Sequence, residues 1–473
     1  MKPFDTAGRF WLLNHEELVL PGRLHFDPNE GIELSLIGRF EYEGVDTGDA
    51  ATRILGVCDS GRVTLNRVFF AGETSRSSGL NESRYRANQL FVGHHFTEPT
   101  IEVTAATTEF TRLSDWVNET GITKTFDPRD PTSNRPSRYS VSCTATPAKS
   151  GSFSRGQVIL NSHWQEAEAS QHSVQLNFWH SIRIEYQAPQ RFDLVQGDVA
   201  RIQSLITMCT DSFAAFTRFM VESPDADITM LDGTRTDIKQ PIEFIATTIH
   251  SKNNQTRTVK RNLFAFVTFT EAGGVETIAR WLDRAESFQR PLNVMMSIRH
   301  NAQMYVENKF LNVMQAAEAY HQITQGSTHT DNETFTKLVQ DIIAATPTEH
   351  QGWLEEKIRF INTPSLNKRM RQLARSAGPG IRGLIRNVDH WSFTVAGARN
   401  ELTHLGKKSG SIIGTDLYHL SESVYIVIRN CMLLEAGVPE TELSTKVDSH
   451  ALMRHADQLQ RSIQRVRQQL REP

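Results

Sequence analysis

Apolar and polar positions follow two different rhythms along this chain. Up to about residue 190 they alternate in short runs punctuated by turn residues, which predicts β-strands. Ile32-Glu33-Leu34-Ser35-Leu36 alternates cleanly. Leu18-Val19-Leu20 meets Pro21-Gly22, which reads as a turn, and resumes as Arg23-Leu24-His25-Phe26. Val63-Thr64-Leu65 and Val158-Ile159-Leu160 read as further strands. Residues 127–156, rich in Pro, Ser, Thr and Arg, read as an exposed excursion.

From about 191 to 290 the pattern is mixed. Residues 202–220 have helical spacing, while 242–249 and 263–270 are β-like. Gly273-Gly274 breaks the chain before a helix that holds Trp281. A boundary is expected near Arg290-Pro291. Beyond it the apolar residues recur at three- and four-residue steps almost throughout. Phe310, Val313, Met314 and Ala317 form one stripe, and Ile413, Leu417, Leu420, Val424, Val427, Cys431 and Leu434 a second. Leu452, Ala456, Leu459, Ile463, Val466 and Leu470 step in a heptad rhythm. That stripe reads first as a helix packed on its own bundle, and second as a dimer contact. The expected fold is α+β, with a β-rich region over 1–290 and an all-α bundle over 291–473.

Composition narrows the class. With 38% hydrophobic and 22% charged residues, the 473-residue chain is an ordinary globular one. No apolar run approaches the ~20 residues of a membrane span, and no signal peptide is read, so a cytoplasmic location is expected. The four cysteines lack metal or disulfide spacing. His94-His95 has no carboxylate or Cys at ligand spacing, and residues 376–380 lack the Lys-Ser/Thr of a P-loop. No metal and no cofactor is expected.

The net charge of −3 says little, but its distribution says more. Residues 291–473 hold 21 Lys and Arg against 18 Asp and Glu. Within residues 357–408 the count is 11 basic against 2 acidic. A solvated helix face and a phosphate-facing surface both fit such a run. Inside it lies Arg399-Asn400-Glu401-Leu402-Thr403-His404-Leu405-Gly406-Lys407-Lys408, which reads as the last turns of a helix with Gly406 as its stop. It holds the one Arg-x4-His of the chain. Arg399 and His404 stand about 140° apart around a helix, so the pair can flank a groove. Arg offers a planar fork to phosphate, and His can move a proton near neutral pH. Asn400, four residues before His404, shares its face and can orient the imidazole. The alternative is a capping His beside a surface Arg.

The motif resembles the HEPN superfamily, helical bundles that often act as RNases through Arg-x4-6-His. More narrowly, the chain resembles the ApeA-type HEPN proteins of bacterial anti-phage defence. Gly8-Arg9-Phe10-Trp11, then Leu20 to Pro28, is similar to the opening of that family's N-terminal domain. Phe91-Val92-Gly93-His94-His95-Phe96 and Phe110 to Trp116 fit its continuation. Phe310 to Ala319 is similar to the first HEPN helix, and Ser365 to Arg369 to the segment before the motif helix.

The resemblance implies a metal-independent endoribonuclease. Two protomers would pair their motif helices so that both copies of Arg399, Asn400 and His404 line one cleft. Lys407, Lys408, Arg382 and Arg386 are expected to hold the RNA backbone. An RNA substrate, with the tRNA anticodon loop as a candidate, a homodimer and a phage-derived trigger are the implied partners. The β-rich half would sense that trigger or restrain the nuclease. Two alternatives stay open: a noncatalytic RNA- or protein-binding module, and a toxin silenced by a separate antitoxin.

Overall fold

The computed structural model describes residues 3–470 except 41–52, 76–80, 128–137, 170–171, 230–234, 247–266, 302, 327, 329, 359–360, 404–411 and 447–449. The alternating runs close into a barrel. It consists of β1 (Phe4–Leu12), β2 (His15–Asp27), β3 (Gly31–Ile37), β4 (Arg53–Cys58), β5 (Gly61–Ser75) and β6 (Asn81–Val92). All neighbours pair antiparallel in the order β6-β3-β2-β1-β4-β5, and β5 returns to β6. The inward positions form their own core, with Phe10, Leu24, Phe26, Leu34, Leu65 and Tyr85 fully buried. In β3 the buried residues are Ile32, Leu34 and Leu36, as the alternation predicts.

Pro21-Gly22 is not a turn. β2 runs straight through it, with Pro21 opposite Arg9 and Gly22 opposite both Gly8 and Leu36. The β3 pairing begins at Gly22, so Pro21 lies just beyond it and no hydrogen bond to β3 is lost there. Gly22 is required for close approach: a Cβ there would stand 2.5 Å from the Ser35 carbonyl oxygen. Gly22→Ala is therefore expected to lower stability by about 1–3 kcal/mol through overpacking. A denaturant-unfolding midpoint equal to wild type would contradict this.

The second half of β6 exchanges β3 for a new neighbour, and the sheet continues out of the barrel. The further strands are β7 (Glu102–Phe110), β8 (Ile122–Phe126), β9 (Tyr139–Cys143), β10 (Lys149–Phe153), β11 (Gly156–Ala169), β12 (Val174–Arg191), β13 (Phe216–Glu222), β14 (Asp227–Thr229), β15 (Arg235–Lys239) and β16 (Ile242–Ala246). From β6 the order runs β16-β13-β7-β12-β11-β10. β8–β9 and β14–β15 are separate two-stranded ribbons. The excursion expected over 127–156 thus contains β9 and β10. Their Ser-rich alternation is that of strands with little buried surface, so composition masked them.

The helices are α1 (Leu113–Val117), α2 (Phe192–Thr210), α3 (Phe269–Ala272), α4 (Val275–Arg284), α5 (Gln289–His300), α6 (Val306–Gln325), α7 (Asn332–Ala344), α8 (Thr348–Ile358), α9 (Leu366–Ser376), α10 (Val388–Thr403), α11 (Gly414–Glu435), α12 (Glu440–Thr445) and α13 (His450–Gln469). The helix expected over 202–220 begins at Phe192 and stops at Thr210, because Asp211 turns left-handed (φ 49°). Phe216 to Met220 belong to a strand instead. Of the β-like run 263–270, residues 263–266 lie outside the described residues. Thr268 caps α3 in a capping box with Glu271. Gly273 and Gly274 both take positive φ and separate α3 from α4. Arg290-Pro291 falls in the first turn of α5.

One hydrophobic core unites the outer sheet, α2, α4, α5 and the C-terminal helices. In α13 the heptad positions Ala456, Leu459, Ile463 and Val466 are buried against the same chain. Polar clamps cross the same seam. Arg299 of α5 is half-buried between Asp211 (3.2 Å) and Glu422 of α11 (2.8 Å) and stacks 3.7 Å over Tyr425. Arg429 Nε of α11 donates to the Met208 carbonyl at the end of α2 (2.6 Å). Among the described residues, no helix is long and apolar enough to cross a membrane.

Candidate active site on the C-terminal turns of α10

α10 is a helix anchored from its start. Asn387 accepts the His390 N–H (2.8 Å) and caps it. Trp391, Val395 and Ala398 recur at helical spacing and are fully buried, and Trp391 Nε1 donates to Ser423 Oγ of α11 (2.8 Å). α13 closes on the helix at Gly397, where a Cβ would stand 2.5 Å from Leu470 Cδ1. These contacts fix the rotation of α10, and with it the directions of the residues that follow Ala398.

Arg399 lies one residue past the buried stripe, about 100° around the helix, on the flank that meets α6. Its Nε faces Glu318 Oε1 of α6 at 3.3 Å, and its side chain is one-third exposed. Neither Nη has an acceptor among the described residues. The guanidinium is thus held by one edge and presents the other. Asn400 is exposed, about 200° from Ala398. Thr403 Oγ1 bonds back to the Arg399 carbonyl (3.0 Å) in the last described turn. Glu401 buries an Oε1 that has no partner among the described residues. His404, Lys407 and Lys408 lie outside the described residues.

The expected backbone-binding residues are placed elsewhere. Arg382 is exposed just after the short turn at residues 379–381. Arg386 Nη2 donates to Asp457 Oδ1 of α13 at 2.5 Å. Both precede α10, and Arg399 lies about 17 Å further along the helix axis from its first residue. Neither has a contact with Arg399 among the described residues. Asp389 is likewise at the far end, paired with Arg371 of α9 (2.7 Å).

Glu318 is a neighbour of Arg399 that the sequence did not single out. Its signal was its place beside Ala317 on the flank of the α6 stripe. The basic excess also resolves into two groups. Arg371, Arg386 and Arg399 each face a carboxylate. Lys368 and Arg375 of α9, with Arg382, are exposed and face no carboxylate among the described residues. α9 packs directly on α10. The arrangement offers a phosphate one presented guanidinium beside a helix that carries free positive charge.

A strand barrel continued into a sheet, joined through one core to a helical bundle that displays an Arg-Asn turn, defines a two-part protein with its candidate chemistry in the bundle. Comparison with family models gives that class a name. ApeA N-terminal domain 1 matches residues 5–281, and Apea-like HEPN matches residues 311–442, which contain the whole Arg399–Lys408 segment. The chain belongs to the ApeA family of HEPN proteins. HEPN domains are generally RNase-associated, and the ApeA-like kind points to an effector of anti-phage defence. Comparisons with curated proteins and with solved structures give no match.

Proposed function

We propose that this protein is an anti-phage endoribonuclease that cuts RNA without a metal, at a cleft built from the α10 motif of two protomers. The observation that carries the reading is Arg399, paired through Nε with Glu318 and, among the described residues, without an acceptor at either Nη, directly before Asn400 and five residues before the motif histidine. The 2′-OH of one nucleotide attacks its own 3′-phosphate. A bond forms from O2′ to phosphorus, and the bond from phosphorus to the next O5′ breaks. His404 takes the 2′-OH proton or delivers one to the departing O5′, and Arg399 stabilises the charge that builds on the phosphate oxygens. The products are a 2′,3′-cyclic phosphate and a 5′-OH end. Asn400 orients His404 or the ribose.

Backbone contacts fall to Lys407 and Lys408 and to Arg382, joined by Lys368 and Arg375; Arg386 is engaged by Asp457. A single-stranded loop such as the tRNA anticodon is the substrate class in which the 2′-OH and phosphate can be aligned and the bases reached. The β-rich region restrains the nuclease until a phage component arrives.

The test is paired. Wild type and His404→Ala are expressed in a bacterial host, challenged with phage, and RNA ends bearing 5′-OH are sequenced. Discrete new ends in the wild type alone are expected, and their positions name the substrate. Identical end profiles in the two strains would remove the catalytic assignment and leave a binding module.

A further inference from the structure

We propose that a polar cavity between the barrel and the first turn of α2 is a binding site for a phosphoryl group. The cavity has a volume of about 200 Å³ and is lined by Arg53 of β4, Asn66 and Arg67 of β5, Gln89 of β6, and Arg191 and Asp193 at the start of α2. It is unrelated to α10, and the inference does not depend on the ribonuclease reading.

Arg53 is the unusual element. It is 7% exposed and has no carboxylate partner among the described residues. Burial lowers its pKa, and no neighbouring charge offsets that. A buried cation without a counter-charge is costly, and natural proteins pair such groups. Its neutral partners are Asn66 Oδ1 (3.0 Å) and the carbonyl oxygens of Phe96 (3.4 Å), Glu98 and Pro99 (2.6 Å). A guanidinium has five N–H groups, so one is left over.

The neighbouring amides are oriented by the same residue. Arg53 Nε can only donate, so Asn66 must present Oδ1 to it and use Nδ2 as donor. Nδ2 donates to Gln89 Oε1 at 2.6 Å, and this turns Gln89 Nε2 into the remaining donor. Gln89 is 4% exposed, lines the cavity, and its Nε2 has no acceptor among the described residues. The Arg53–Asn66–Gln89 chain therefore leaves N–H groups as its unused polar atoms at the cavity, which favours an acceptor as ligand.

Charge selects the acceptor. Arg53, Arg67 and Arg191 against Asp193 leave two positive charges, which matches the −1.5 to −2 of a phosphate monoester near pH 7. Asp193 pairs with Arg67 (3.1 Å) and Arg191 (3.4 Å) at the mouth, where both arginines are substantially exposed. The Phe192 N–H donates to the Ile101 carbonyl (2.9 Å), and α2 adds the N–H groups that follow it, since no side chain caps the helix. Arg67 takes a left-handed φ of 55° inside β5. Such strain persists where surroundings impose it, and at this position it directs a guanidinium to the cavity. The volume lies below the ~300 Å³ of small-molecule pockets, so the site admits one phosphoryl group, free or at the tip of a larger molecule. The far end of α2 is the one bonded to Arg429 of α11, so the ligand would sit at the opposite end of a helix seated on the bundle.

Calorimetric titration of the full-length protein at fixed ionic strength tests this, with inorganic phosphate and AMP as probes. Saturable binding is expected for the wild type. The double variant Arg67→Asn, Arg191→Gln should bind at least tenfold more weakly, since charged hydrogen bonds are lost; Asn tolerates the left-handed φ. Asp193→Asn, which removes the competing carboxylate, should tighten binding. Arg399→Ala should leave it unchanged. AMP tighter than phosphate identifies a phosphorylated metabolite as the source, and equal affinity identifies free phosphate. No saturation up to about 10 mM, or affinity that is unchanged in the double variant or lost in Arg399→Ala, would overturn the assignment.

Discussion

Arg399→Ala is expected to reduce the yield of new 5′-OH RNA ends about 10²–10³-fold while leaving the unfolding midpoint within error of wild type. The size follows from chemistry. Removing one preorganised donor aimed at charge that develops in the transition state costs that much in enzymes that stabilise an oxyanion. The silence in stability follows from the structure. Arg399 is one-third exposed and its one ion pair among the described residues, with a part-exposed Glu318, is of the kind that contributes about 0–1 kcal/mol. Arg399→Lys keeps the charge but loses the fork and the Nε contact, so it should recover only part of the activity. Glu318→Gln separates positioning from charge. If Glu318 merely pairs, activity is unchanged; as a positioning residue, its loss lowers kcat with little effect on KM. Cleavage at the wild-type rate by Arg399→Ala would end the catalytic reading whatever Glu318 does.

The parts legible in the sequence are those in which local periodicity agrees with tertiary burial. Ile32, Leu34 and Leu36 alternate because one face of β3 lines the barrel, and the α6, α11 and α13 stripes repeat because one face of each helix meets the core. The Arg-Asn turn was legible because its spacing is fixed by the helix that carries it. The misreadings have a common cause. Pro21-Gly22 carries turn chemistry, but its Gly serves a close strand approach that only β3 imposes. Phe216 to Met220 continues a helical spacing, but Asp211 ends the helix and pairing with β7 captures the next residues. Long-range pairings are a separate limit: Asp457, 71 residues away, engages Arg386. Glu318 lies 81 residues before its partner. No local signal reports such pairings, because they depend on how helices cross.

The polar interior shows the same limit more sharply, and it carries the largest stability prediction. Asp198 of α2 is a carboxylate in the interior of a helix, and it is fully buried. Arg155 Nη2 (2.5 Å) and Arg201 Nη1 (2.6 Å) both donate to its Oδ1, and the Tyr186 hydroxyl donates to Oδ2 (3.0 Å). Burial and the Asp198 charge raise the Tyr186 pKa, so this hydroxyl stays a donor. Arg155 and Arg201 also reach Glu286 and Gln289, at the entrance to α5. The cluster therefore ties the β10–β11 turn, β12, α2 and the first helices of the bundle side into one unit. Asp198→Ala removes the shared acceptor, leaving Arg155 to the exposed Glu286 and Arg201, 8% exposed, without its close carboxylate. Breaking a buried pair from one side costs about 3–5 kcal/mol. A domain has only about 5–15 kcal/mol in total, so the variant should melt several degrees lower and yield less soluble protein. Replacing Asp198, Arg155 and Arg201 together by Leu, Leu and Met leaves no stranded charge and should recover much of the loss, because it is the unpaired charge that is expensive. A single variant that melts with wild type would show that solvent reaches the cluster. A triple variant no better than the single would show that these hydrogen bonds, rather than the avoidance of a bare charge, hold α2 in place against the sheet.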